Sequence, residues 1–102
     1  NMKLLLITAV SEFENEVKQI LKKAQVKTFS YREVTGYRNT SEDAIESNWF
    51  GTEMNENESI LFYAFVQKEN VDLVFNLITE FNSQKEILSH IHSAILNIEK
   101  SN

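Results

Sequence analysis

The run Ile60–Val66 restricts the possible folds of this chain more than any other feature. It contains seven consecutive apolar or aromatic residues and follows a long polar stretch. A short run of this composition is typical of a β-strand that is covered on both faces. Lys3–Val10 has the same character near the start of the chain. The sequence therefore predicts two buried strands, at Lys3–Val10 and Ser59–Gln67.

Each of these strands leads into a segment with helical periodicity. Ser11 and Glu14 form a capping-box pattern, which predicts a helix that begins at Ser11. Asn70 is the expected N-cap of a second helix, which ends at Asn82–Ser83. Apolar residues recur at three- and four-residue spacing in both helices: Phe13, Val17, Ile20, Leu21 and Ala24, then Val71, Val74, Leu77, Ile78 and Phe81.

Two further segments have the composition of strands, Val26–Val34 and His90–Ile98. The resulting order is strand, helix, strand, strand, helix, strand. This order is typical of the α+β ferredoxin-like βαββαβ unit, in which two helices cover one face of an antiparallel four-stranded sheet. We expect one such domain over residues 2–102.

Two helices cover only one face of the predicted sheet. The four strands are rich in aliphatic and aromatic residues, so the second face is also expected to be apolar. A chain of 102 residues buries only about two-thirds of its unfolded surface. Both observations predict an oligomer that covers the second face.

The segment Tyr37–Glu58 is a long polar connection between the second and third strands. It contains six acidic residues and the aromatic pair Trp49–Phe50. Connections of this length are usually functional or disordered, so we expect a flexible loop in which Trp49, Phe50 and Glu53 contact a partner. The alternatives are that the aromatic pair packs on the protein itself and that the acidic side chains are merely solvated.

Composition excludes several classes of function. The net charge is −5 and no cluster of basic residues offsets it, which argues against nucleic acid or an anionic membrane as a partner. The chain has no cysteine, which excludes thiolate metal sites and thiol catalysis. No set of residues identifies an enzyme, and no segment is long and apolar enough to insert into a membrane. We therefore expect a cytoplasmic protein without catalytic residues.

The chain resembles the nitrogen-regulatory PII signalling proteins and their PII-like relatives, which are related to CutA-like trimers. The resemblance rests on a strand that ends in Glu33-Val34-Thr35-Gly36, on the long loop after it, and on Val71-Asp72-x-Val74 in the second helix. It implies a homotrimer that binds small effectors in the clefts between subunits and regulates a partner through its loop. Carried over by position, the effector residues are Ser30, Gly36 and His90.

One departure from the family concerns the effector that the chain binds. The stretch Ser83–His90 contains no glycine, whereas the nucleotide-sensing branch has a glycine-rich turn there whose backbone amides hold phosphates. This argues against the family's ATP and 2-oxoglutarate binding.

His90 and His92 suggest a different effector. On a strand, this spacing places both imidazoles on one face with Cα atoms about 6.6 Å apart, within reach of one divalent metal ion if a carboxylate completes the site. The alternative is that both are ordinary strand residues.

PII-like relatives are associated with metal efflux, so the resemblance favours an efflux pump or another membrane transporter as the partner. A dimeric α/β-barrel monooxygenase, which shares the order of elements, is the alternative function.

Overall fold

The computed structural model describes residues 2–37, 56–84 and 89–102. They form a four-stranded antiparallel sheet and two helices, which confirms the predicted α+β ferredoxin-like fold. The strands are β1 (Met2–Val10), β2 (Ser30–Tyr37), β3 (Glu56–Gln67) and β4 (His92–Asn97), and the helices are α1 (Glu14–Lys23) and α2 (Lys68–Gln84). Within these ranges, no helix has the length and apolarity needed to cross a membrane.

The strand order across the sheet is β2-β3-β1-β4, so the two most apolar strands lie in the centre. β1 pairs with β3 from Met2, opposite Gln67, to Val10, opposite Ser59. The register places Leu5 opposite Ala64 and Ile7 opposite Phe62, and all four side chains are buried. Since alternate residues of a strand point to opposite faces, these positions define the face that the helices cover.

The core lies between this face and the apolar stripes of the two helices. Val17 and Leu21 of α1 and Val74 and Ile78 of α2 are buried, as the periodicity predicts. Phe13 and Phe81, one before α1 and the other near the end of α2, meet edge to face with ring centroids 5.1 Å apart. This contact places the beginning of one helix beside the end of the other, so the helices run in opposite directions.

The predicted caps of both helices are wrong. Ser11–Phe13 forms a short 3-10 helix, α1 begins at Glu14, and neither start has a side-chain cap hydrogen bond. The Ser11 Oγ is instead buried and has no hydrogen-bond partner among the described residues. α2 begins at Lys68, directly after β3, and Asn70 therefore lies inside its first turn.

Strand boundaries also differ from the prediction. β2 begins at Ser30 rather than Val26, because Gln25 and Val26 terminate α1. The Gln25 N–H donates to the Lys22 carbonyl at 3.1 Å and the Val26 N–H donates to the Leu21 carbonyl at 2.9 Å. This pair of bonds is a Schellman motif, and the Val26 side chain is buried in the core.

At the loop, Tyr37 belongs to β2 and Glu56 to β3, so part of the predicted 37–58 loop is paired strand.

A partly exposed cluster attaches α1 to the start of β2. The Lys18 Nζ donates to the Glu14 carboxylate at 2.7 Å and to the Tyr31 hydroxyl at 3.1 Å, and it lies 4.4 Å from the centre of the Tyr31 ring. The bond to Glu14, followed by the bond to Tyr31, raises the pKa of Lys18. The Tyr31 ring stacks on Phe62, with centroids 5.2 Å apart. Edge strand β2 is thereby held to both α1 and the core.

The backbone at Gln25 yields a prediction about stability. Its φ of 68° lies in the left-handed region, which costs a non-glycine residue about 1–2 kcal/mol. Gln25→Gly removes this cost, while the greater freedom of glycine in the unfolded chain offsets about 0.4–1 kcal/mol of the gain. Urea unfolding should show a net stabilisation of about 0.5–1 kcal/mol. The matched control is Gln19→Gly in the middle of α1, which should lower stability by about 1 kcal/mol. Equal losses in both variants would contradict the argument.

Candidate functional site

The sheet face opposite the helices is apolar over much of its area. We call it the open face. Among its members, Phe65 is 59% exposed, and Tyr63 and Leu96 are 41% and 42% exposed. The strand register assigns the following apolar residues to it: Met2, Leu4, Leu6, Val10, Val34, Leu61, Tyr63, Phe65, Ala94 and Leu96. The predicted second apolar face is therefore present, and the two helices leave it uncovered.

One row across the open face is polar at three of its four positions. The register pairs Arg32 with Leu61, Leu61 with Thr8, and Thr8 with His92. Thr8 is buried, whereas His92 is half-buried at the outer edge. The row runs from edge strand β2 to edge strand β4 and ends in a basic side chain on one side and an imidazole on the other. Sequence analysis did not identify Arg32 or Thr8 as site residues.

Within one chain, the predicted effector residues do not converge. Ser30 begins β2, and Gly36 lies six residues later, which is about 20 Å along the strand. β2 and β4 are the two outer strands, three strand spacings or about 14 Å apart. His90 precedes β4 and is exposed. One chain therefore does not bring residues of both edges to a single small molecule.

The predicted placement of the histidine pair on one strand is wrong. β4 begins at His92, so His90 lies outside it and the alternation of a strand does not apply to the pair. Burial and, to a lesser extent, the charge of His90 lower the pKa of His92 from its ordinary value near 6.5. The described residues contain no group of three or more histidine, aspartate or glutamate side chains that is arranged to hold a metal ion.

The Asn82 side chain holds the backbone of Ile91, the residue between the two histidines, and we call this contact the clamp. The Asn82 amide of α2 donates to the Ile91 carbonyl at 2.9 Å, and its oxygen accepts from the Ile91 N–H at 2.9 Å. Asn82 thus makes both hydrogen bonds that a neighbouring strand would make. Ile91 is 2% exposed and stands between His90 and His92. The clamp was not predicted, although Asn82 is a polar residue four positions after the buried Ile78.

The predicted partner-binding residues Trp49, Phe50 and Glu53 lie outside the described residues, as do the residues at 85–88 of the glycine-free stretch. The strand pairing at the base of the loop is described, with Gly36 opposite Asn57 and Tyr37 opposite Glu56. The partner-binding role of the loop stays a prediction.

Comparison with solved structures shows a PII-like fold. A DUF3240-family protein from Shewanella baltica matches with a TM-score of 0.66 and 11% identity over 99% of this chain and 93% of that one. CPII, a nitrogen-regulatory PII-like protein from Thiomonas intermedia bound to ADP, AMP and bicarbonate, matches with a TM-score of 0.60 and 15% identity over 97% and 96%. The GlnK–ATP complex of B. subtilis matches with a TM-score of 0.62 and 18% identity over 94% and 83%. No protein-family model and no curated protein matches the chain.

The lowered pKa of His92 predicts how stability depends on pH. Between the folded pKa and the ordinary value, the unfolded chain binds more protons than the folded one. The contribution to stability is therefore complete above about pH 6.5 and is lost as the pH falls through the folded pKa. When the pH is lowered from about 7.5 to about 5.5, the free energy of unfolding in urea should fall less for His92→Gln than for the unmodified chain.

An NMR titration of the imidazole protons provides a direct check of the same shift. The His92 midpoint should lie below 6.5 and should rise in His90→Gln, which removes the neighbouring charge. A His92 midpoint at or above 6.5 would contradict the placement of this side chain.

Proposed function

We propose that this chain is a PII-like regulatory protein that forms a homotrimer through the open face and has no catalytic activity of its own. The observation that carries the proposal is the large apolar area of the open face in a chain with a PII-like fold. Leaving such an area in water is unfavourable, and other copies of the same face are apolar surfaces of matching chemistry. Solved structures with this fold include nitrogen-regulatory PII-like proteins.

The effector site lies between subunits in this proposal. Ser30 lies on edge strand β2, and His90 precedes the other edge strand, β4. These two strands are about 14 Å apart, so one chain does not bring both residues to a single small molecule. When sheets meet through their open faces, an edge of one copy approaches an edge of the next. The β2 edge of one subunit then lies beside His90 of its neighbour. Because Ser30 and Gly36 are about 20 Å apart along β2, they line opposite ends of this cleft.

A divalent metal ion is the effector that the histidine chemistry favours. His90 and His92 flank the clamped Ile91, and the lowered pKa of His92 keeps its imidazole neutral at physiological pH. Neutral imidazole is the form that binds Zn²⁺, Cu²⁺, Ni²⁺ and Co²⁺. Two imidazoles are too few for a tight site, so further ligands come from a second subunit or from residues outside the described ranges.

The loop between β2 and β3 is the segment of this regulator that binds its partner. Its base is held by the pairing of Gly36 with Asn57, and the residues between the two strands include Trp49, Phe50 and Glu53. An effector at the base that favours one arrangement of the loop would change how the loop binds its partner. The proposed partner is a membrane transporter, such as a metal-efflux pump.

A pair of surface variants tests the assembly. Phe65→Glu places a charge on the open face, where Phe65 is 59% exposed in the single chain. Burying an unpaired carboxylate in an interface costs several kcal/mol, so the variant should be monomeric by size-exclusion chromatography with light scattering. Leu73→Glu is the matched control, because Leu73 is 42% exposed but lies on α2, on the other side of the sheet. It should leave the assembly unchanged. Loss of assembly in the control alone would place the interface on the helices.

Calorimetric titration tests the metal proposal. Binding of Cu²⁺, Zn²⁺, Ni²⁺ or Co²⁺ should weaken by about tenfold or more in His90→Ala and in His92→Ala, because each change removes one of few ligands. Mg²⁺ is the control ion, since it prefers oxygen ligands and should give no heat. Absence of heat with all four transition ions would eliminate the metal proposal and leave the trimer proposal standing.

Parallel titration with ATP, ADP, AMP and cyclic nucleotides tests the expectation that the glycine-free stretch binds none of them.

A further inference from the structure

The outer surfaces of α1 and α2 enclose a groove that the proposed function does not use. Its volume is about 320 Å³, at the lower end of the range of small-molecule sites. Ile20, Leu77 and Phe81 contribute its apolar lining. The groove lies on the helical side of the sheet, opposite the open face.

The charges of the groove are separated along its length. Glu16 and Lys23 both line it and lie seven residues apart on α1, with Ile20 between them. Seven residues of α-helix span about 10.5 Å. Because the helices run in opposite directions, Glu80 of α2 lies toward the Glu16 end rather than the Lys23 end. The groove therefore has an acidic end, an apolar centre and a basic end.

These charges are available to a ligand. No described residue forms an ion pair with Glu16, Lys23 or Glu80. The Glu80 carboxylate accepts one long hydrogen bond, 3.4 Å, from the Gln84 amide. Lys18 differs from them because it pairs with Glu14 at 2.7 Å. A ligand that enters the groove thus meets charged groups that do not first have to leave a partner within the described chain.

We propose that this groove binds a small linear zwitterion, with an ammonium group and a carboxylate at the two ends of an apolar segment. The ammonium group pairs with Glu16 and Glu80, and the carboxylate pairs with Lys23. The apolar segment covers Ile20, Leu77 and Phe81, which removes apolar surface from water. An ω-amino acid has this chemistry. The proposal does not depend on the trimer or on the histidines.

The first experiment follows backbone amide shifts of the ¹⁵N-labelled protein during titration with ε-aminocaproate. Saturable shifts should be confined to residues 15–23 and 77–84. Hexylamine and hexanoate carry one charge each and should bind about two- to fivefold more weakly, the loss expected for one exposed ion pair. γ-Aminobutyrate is too short to reach both ends and should also bind more weakly. Absence of saturable shifts, equal binding of the single-charge ligands, or shifts confined to the open face would each overturn the proposal.

A specificity switch provides the sharper test. Lys23→Glu makes both ends of the groove acidic, so it should weaken ε-aminocaproate and strengthen the diamine cadaverine, which reverses the preference of the unmodified chain. A gain of cadaverine binding does not arise from misfolding. Glu69→Gln, in the first turn of α2 and outside the groove, is the charge control and should leave both affinities unchanged. An unchanged preference in Lys23→Glu would show that the groove does not recognise charge at its ends.

Discussion

The structure depends on a mismatch between one sheet with two apolar faces and two helices that cover only one of them. The runs Leu4–Ile7 of β1 and Ile60–Val66 of β3 place apolar side chains on both faces of the sheet, so both faces of the central strands need a cover. α1 and α2 supply it for Leu5, Ile7 and Phe62. Phe65 and Leu96 on the other side are left exposed, and this is why assembly is central to the proposed function.

The same sheet explains why a binding site within one chain is not apparent. The polar candidate residues lie on its two edge strands: Ser30 and Arg32 on β2, and His92 on β4. The central strands separate these residues. In the proposed trimer, closing the open face buries the apolar centre and brings polar edges of different chains together, so assembly and site formation would have one physical cause.

Much of the fold was predictable because periodicity is a local property. The run Ile60–Val66 and the stripes of both helices specify elements that tertiary packing has no reason to override. The clamp of Asn82 on Ile91 was not predictable, since it joins residues nine positions apart whose meeting depends on the path of the chain between them. His90 lies outside β4, on the far side of this clamped residue. The Ser11 capping box was wrong because a matching pair of residue types does not ensure cap geometry.

The central claim is that the open face is covered by two other copies of the chain. Sedimentation equilibrium of the unmodified protein at micromolar concentration measures this directly, without an assumption about ligand or partner. The account predicts a mass three times the 11.9 kDa of one chain. A mass of 11.9 kDa across the concentration range would show that the open face stays in water, and a stable dimer would favour a different class of ferredoxin-like protein.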